Sequence, residues 1–549
     1  MKTFFFYDLE TTGLSPKFDR LMQFAGVRTD ENFNATSEPV NLLIRVNDDI
    51  LPSPEAILTT KITPQKTVQD GLSEAEFAKF FMDEIVIPDT IFVGYNNVRF
   101  DDEFMRNFRD PYEWQWKDGR SRWDLLDVVR LTRALRPGGI NWPVVEKKSR
   151  SDLAFARLAR DDERVSEETR NDGLDERRES NGSTSVTQIP INNLESLARD
   201  NGFENKNAHD ALSDVQALIG LAKLLKSKQP KMFDYLFKMR DKKEVQKLVN
   251  LENPAPFIYA SGRYAVEFDK TTVALPIAPS PKSGSVLVWD LRFSPNDFAE
   301  LSESEILAKI TADYETRHAD DFIPLPVKEL AFNKCPAVAP FGTLDESAQE
   351  RLKLDPTQIE KNFNALRKNR GLIDKIVAVW SKKNEVYEKR NSETSKSATK
   401  NSLQNYRAWD VEGKLYDSFT PNEDRVKIRV VAEAKINDLA DFHPNFIDER
   451  LPELLLRFKA RNFPKSLSDD EKTTYEKWRS AKIATDLPEF IKKLMWLTAI
   501  GRSETVAQLS DNEQKLFKNL RERYADTTID EFLLQELQLW AESIATFDE

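Results

Sequence analysis

Four consecutive aromatic residues, Phe4-Phe5-Phe6-Tyr7, lead without a break into Asp8-Leu9-Glu10. The apolar run, from residue 2 to residue 7, predicts a short buried strand. Asp8 and Glu10 are two apart, so on a strand their side chains leave the same face. Two carboxylates held together where the dielectric is low repel one another, by about 4 kcal/mol at ~4 Å and an effective ε near 20. A divalent cation removes that repulsion, and hard oxygen donors suit Mg²⁺ or Mn²⁺. An isolated Asp-x-Glu is far more often a solvated strand face. Here the aromatic run before it and Thr11-Thr12-Gly13 after it place the acids at the end of a buried strand.

Two further acidic positions follow. Asp101 comes after a second predicted strand, 90–94, and the Asn96-Asn97 turn. Taken alone it reads as a helix-start acid favoured by the helix dipole. It is preferred to its neighbours Asp102 and Glu103 because Phe100 can anchor in the core and aim the next side chain. The last group is His209-Asp210-Ala211-Leu212-Ser213-Asp214. At about 100° per residue, His209 and Asp214 point about 140° apart if both are helical. Their expected jobs therefore differ: Asp214 as a metal ligand, His209 as a mobile base. The chain has three histidines, His209, His318 and His443. The bland alternative for His209 is a capping or surface role. Four carboxylates and one histidine in this order look like a two-metal phosphodiester-cleaving site.

A chain of 549 residues holds two to four domains. Residues 1–228 alternate strands (21–29 and 42–46 besides those above) with helices at 104–107, at 125–135 and in two segments over 194–225. This pattern predicts an α/β domain. Residues 146–187 are dense in charge, with a predicted amphipathic helix over 149–168 and a mobile loop over 172–187. They read as an insertion on the first domain. Residues 229–380 are β-rich, with strands expected at 257–268, 272–275 and 285–291 and helices at 302–313 and 349–353. Residues 381–549 are helical, with 389–402 read as a polar linker. No apolar run reaches the roughly 20 residues that span a bilayer, and the N-terminus has no signal-peptide shape, so no membrane association is expected. The single Cys335 excludes an intrachain disulfide and fits a reducing, cytoplasmic setting. A net charge of −12 argues mildly against nucleic acid. Metal-holding carboxylates inflate that total, however, and basic stretches occur at 361–370 and 457–461.

The five positions Asp8, Glu10, Asp101, His209 and Asp214 resemble the DEDDh exonucleases, which have an RNase H-like fold. A closer resemblance is to bacterial exonuclease I. It is carried by Gly94-Tyr95-Asn96-Asn97-Val98-Arg99-Phe100-Asp101-Asp102-Glu103, Ser121-Arg122-Trp123-Asp124-Leu125-Leu126-Asp127-Val128, Gly139-Ile140-Asn141-Trp142-Pro143, Asn333-Lys334-Cys335-Pro336 and Ala460-Arg461-Asn462-Phe463-Pro464, spread over nearly the whole chain. The resemblance implies an RNase H-like exonuclease domain, an SH3-like β-barrel and an all-α C-terminal domain. It also implies a processive, monomeric 3′→5′ exodeoxyribonuclease that acts on single-stranded DNA in repair and recombination and releases 5′-mononucleotides. Asp8, Glu10, Asp101 and Asp214 would hold two Mg²⁺ ions, with Mn²⁺ as a substitute, and His209 would take the proton of the attacking water. Glu10, Arg122, Trp123 and Arg136 would contact DNA. Trp114, Trp116 and Trp142 are further stacking candidates, weighed against ordinary core packing. Arg136, Tyr235 and Arg367 match the surface on which the family docks the C-terminal tail of single-stranded-DNA-binding protein. Residues 340–345, however, supply Pro and Asp where basic groups are expected. Rival readings are a DEDDh exoribonuclease and a catalytically silent nucleic-acid-binding scaffold.

Overall fold

A computed structural model describes residues 2–545 apart from 109–120, 148–186, 204–209, 313, 318–321, 398–409, 417, 435, 441 and 526. The aromatic run lies in β1 (Thr3–Thr11), the centre of a five-stranded sheet. The order is β3 (Val40–Leu43), β2 (Leu21–Thr29), β1, β4 (Thr90–Gly94), β5 (Ser121–Asp124). β1 runs antiparallel to β2 and parallel to β4, and β4 runs parallel to β5. The run is apolar throughout because the sheet is covered on both sides. Phe4 and Phe6 share a core with Val215, Leu218 and Leu221 of the helix Ala211–Lys228. Phe5, Tyr7 and Leu9 face the other way, onto Phe24, Phe77, Phe92 and Phe104. Each such side chain contributes roughly 1.5–3 kcal/mol on burial, so this strand is fixed by both layers at once.

The charged stretch leaves and re-enters through one antiparallel ribbon, β6 (Val144–Lys147) and β7 (Thr187–Pro190), with Lys147 opposite Thr187. The helix expected over 149–168 and nearly all of the loop expected over 172–187 fall outside the described residues.

A second sheet, all antiparallel, has the order β11 (Val327–Ala331), β10 (Ser285–Asp290), β9 (Thr271–Pro279), β8 (Phe257–Ala260), β12 (Ala337–Pro340). The strand expected over 257–268 stops at Ala260. Ser261 and Gly262 open a turn there, closed by Tyr264 N–H to Ser261 O (3.0 Å), and a single 3₁₀ turn covers Val266–Phe268. β11 and β12 were not expected; they are short and flank the Asn333-Lys334-Cys335-Pro336 turn. The polar linker expected at 389–402 is corrected as well. The helix Arg370–Ser397 runs through its first part. That segment has no Gly or Pro after Gly371, so its polar composition does not remove helix propensity.

Both later parts pack on the first. Ile258, Val273 and Trp289 belong to the same cluster as Phe4 and Leu221. Leu494, Leu497, Leu533, Leu537 and Trp540, from the helices Asp469–Gly501 and Glu531–Ile544, close over Met22, Val46, Ile50 and Ile57. Beside this apolar seam lies a buried ion cluster. Arg461 donates to both oxygens of Asp49 (3.0 and 2.7 Å) and to Glu412. Glu412 also accepts from Arg20 and lies 3.4 Å from Arg457. Lys482 lies 3.6 Å from Asp49. The first domain supplies Asp49 and Arg20; the helical part supplies the rest. Among the described residues no helix is long and apolar enough to cross a membrane.

Candidate active site

Asp8 and Glu10 continue the face of β1 that carries Phe4 and Phe6, at the strand's carboxyl end. Glu10 is buried, and the ladder to β2 shifts register immediately after it. The helix Ala211–Lys228 covers the same face, and Asp214 lies in its first turn. Gln23, opposite Glu10 on β2, donates to Asp210 (3.1 Å) at the start of that helix and to Asn41 (2.8 Å). This tie fixes the helix start against the sheet. As a result, one carboxylate oxygen from each of Asp8, Glu10 and Asp214 lies within 4.8 Å of the others. Asp8 and Asp214 are half-buried, so the group opens outward. Three convergent hard oxygen donors fit a small divalent cation.

Asp101 reaches the same edge by another route. β4 is parallel to β1, so both strands end on one side of the sheet, where open α/β sheets bind ligands. After β4 the chain turns sharply through Asn96, whose φ is 63°. Asn96 N–H donates to Asp124 (2.9 Å). A Cβ on Gly94 would stand 2.4 Å from that of Asn97, so glycine is required for the close approach. Phe100 is buried against Phe104, with ring centroids 4.8 Å apart, as the sequence predicts. Asp101 then opens the helix Asp101–Phe108 and is 3% exposed. It does not belong to the 4.8 Å group. Tyr7 lies close to both acids of this turn. Burial first, then the charges of Asp102 and Asp101, push its phenol well above the usual range. His209 lies outside the described residues, as do Trp114 and Trp116.

One expected DNA contact is corrected. Trp123 is 1% exposed and packs edge-on against Phe233 and Phe237, both at 5.0 Å, so no base can stack on it. Arg122 is held by Asp102 (2.7 Å) and by the carbonyl of Asn333 (2.9 Å), which ties the two sheets together, and its side chain stays 19% exposed. Arg136 remains partly exposed, but it donates to Asp345 (3.2 Å) and to the carbonyl of Thr343 (3.0 Å). The acid that looked misplaced in sequence thus sits on that arginine. Tyr235 is partly buried, and burial pushes its phenol up to about 12. Arg367 lies over the Phe363 ring at 5.4 Å.

Sequence reasoning missed the polar support beneath the Asn96 turn. Arg99 pairs with Asp127 (2.7 Å), which also accepts from the buried Arg130 (2.6 Å). Burial alone would raise Asp127, but the guanidiniums of Arg99 and Arg130 outweigh it and hold the carboxyl below its usual range. Asp124, farther from a cation, is raised by burial. Its capping bond to Leu126 N–H (3.0 Å) was the available signal: an acid placed between a strand and a helix.

Comparison with known proteins finds three family matches in order along the chain. The family described as Exonuclease matches residues 5–157, the Exonuclease I SH3-like domain matches 240–382, and the Exonuclease I C-terminal domain matches 409–528. Exodeoxyribonuclease I of Haemophilus influenzae is 34% identical over 94% of this chain and 96% of its own. The zinc-bound E. coli exonuclease I in complex with single-stranded DNA superposes with a TM-score of 0.77 at 31% identity, covering 99% of each chain. A solved complex of SSB and exonuclease I with an inhibitor gives 0.75 at 31% identity, covering 99% of this chain and 100% of that one.

Proposed function

The chain belongs to the exonuclease I family, and from that membership we propose that it degrades single-stranded DNA from the 3′ end to 5′-mononucleotides. The observation that carries the reading is the convergence of Asp8, Glu10 and Asp214 from a strand and a helix distant in sequence. In this reading those three carboxylates hold Mg²⁺, Asp101 completes the set from the end of β4, and Mn²⁺ substitutes. When bound, a pair of such ions acidifies water and neutralises charge at the phosphate. The protein's own contribution is arrangement. β1 and the helix Ala211–Lys228 hold the carboxylates rigidly. Glu10, the most buried of the three, borders the 3′ terminus. His209, five residues before Asp214, accepts the proton of the attacking water. Arg122 and Arg136 contact DNA, and Arg136, Tyr235 and Arg367 together take the acidic tail of single-stranded-DNA-binding protein. The SSB complex of a relative supports that partner. We further propose a monomer acting in the cytoplasm in DNA repair and recombination.

Timed digestion of 3′- and 5′-labelled single and double strands, with and without Mg²⁺, tests the activity. Mononucleotide release from the 3′ end of single strands, stopped by EDTA, is expected. Equal digestion of matched RNA would favour the ribonuclease reading. A folded protein that cuts neither polymer would favour the scaffold.

A further inference from the structure

The acid Asp102 and the turn Asn333-Lys334-Cys335 have no part in that chemistry, yet they meet beside it. We propose that Tyr7, Asp102 and Arg122 act as positioning residues that set the Asp101 carboxylate relative to Asp8, and that the 333–335 turn of the second sheet locks them. The inference rests on the reading of Asp101 as a metal ligand.

The geometry is specific. In the sheet order, β4 lies between β1 and β5. The helix that follows β4 begins with Asp101-Asp102. Asp102 is grasped from both flanking strands: the Tyr7 hydroxyl of β1 donates to one carboxylate oxygen, and Arg122 of β5 donates to the other at 2.7 Å. Two of the three groups are removed from water, Tyr7 at 1% and Asp102 at 4% exposed, and the Arg122 side chain is 19% exposed. The backbone is tied as well, by Asp102 N–H to Asn97 O (2.8 Å). Consecutive helical residues point about 100° apart, so fixing Asp102 fixes where Asp101 is aimed. Tyr7 and Asp8 are likewise consecutive, and on a strand they leave opposite faces. One hydrogen bond therefore joins the immediate neighbours of two acids assigned to the metal site.

The second sheet closes the relay from behind. Arg122 Nη2 donates to Asn333 O (2.9 Å), the Cys335 thiol donates to Arg122 O (3.4 Å), and Lys334 pairs with Glu103 (3.2 Å) in the same helical turn. Cys335 itself is buried, and burial pushes its thiol up to about 12, so its use is as a donor and not as a nucleophile. A charge on Asp102 would be unnecessary for plain packing. Two donors from separate strands onto one buried carboxylate fix an orientation.

The test uses the full chain and Mn²⁺ alone, with binding read from the loss of the free-ion electron paramagnetic resonance signal. Tyr7→Phe removes only the donating oxygen. Affinity for Mn²⁺ should fall about 10-fold, the low end for a group that supports a metal ligand. The melting temperature should stay within a few degrees of wild type, and single-strand affinity in Ca²⁺ should be unchanged. Arg122→Ala should fall further and Arg122→Lys should recover part of the loss. Wild-type Mn²⁺ affinity in folded Tyr7→Phe and Arg122→Ala would overturn the proposal. Asp101→Asn separates the two layers. If it weakens Mn²⁺ while the other variants do not, only the positioning role fails. If it does not, the assignment of Asp101 fails and the relay has nothing to position.

Discussion

Replacing Arg461 by methionine should loosen the helical part of the molecule from the exonuclease domain. The side chain is 4% exposed and makes two charge-assisted bonds to Asp49, which is fully buried, besides its bonds to Glu412. Removing one partner of a buried ion pair costs about 3–5 kcal/mol, because the other charge stays behind unpaired. Here the lower figure applies. Glu412 keeps Arg20 and Arg457, and Asp49 keeps Lys482 at 3.6 Å. For a unit of this size, about 3 kcal/mol corresponds to roughly 10 °C. Calorimetry on the intact chain should show the first transition lowered by that amount, with no assumption that the whole molecule melts in one step. Asp49→Asn added to Arg461→Met should cost far less than the two single losses summed, since the stranded charge is gone. A shift below ~3 °C, or strict additivity, would refute the reasoning.

The same cluster sets a pH response. Burial opposes the charge of Asp49, yet Arg461 and Lys482 hold its carboxyl at about 2, and Glu412 is held well below its usual range by Arg20, Arg461 and Arg457 against its burial. Both folded values are depressed, so the stability they contribute is fully present above the unfolded values near 4. It is lost as pH falls from about 4 towards 2. The melting-temperature gap between wild type and Arg461→Met should therefore be constant from pH 7 to 5 and narrow below 4. Asp8→Ala should lower single-strand hydrolysis at least ~100-fold, about 3 kcal/mol of barrier, while binding measured in Ca²⁺ persists; full activity would mean the site lies elsewhere. Gly94→Ala forces a Cβ onto Asn97 and should destabilise by about 1–3 kcal/mol, read as a lower urea midpoint. Arg136→Ala should weaken binding of an acidic tail peptide by a modest factor, because Asp345 already offsets part of that charge; unchanged affinity in a fluorescence titration would remove that contact.

Legibility in the sequence followed the range over which the signal acts. Phe4 to Glu10 announced a buried strand ending in acids, since alternation and burial are local properties. Asp214 was readable from its place in a helix-period segment. Asp101 was chosen over Asp102 on the strength of Phe100, and what the sequence did not announce is that Asp102 is tied to Tyr7 and Arg122. Those ties join residues 95 and 20 positions apart, a distance no periodicity reports. Trp123 failed for a related cause. An aromatic beside an arginine looks the same in sequence whether it faces a groove or, as here, Phe233 and Phe237. Asp49 and Arg461, 412 positions apart, gave no sign of one another.

The ribbon of β6 and β7 has a practical meaning. Lys147 and Thr187 face each other across a ladder, so whatever joins them is attached at a hairpin tip and leaves the pairing below it untouched. Chain-closure entropy grows only with the logarithm of length, about 2–3 kcal/mol between a two-residue turn and a connection of some forty residues. That tip is a socket: a shortened turn set between Lys147 and Thr187 is expected to leave the register beneath as it is.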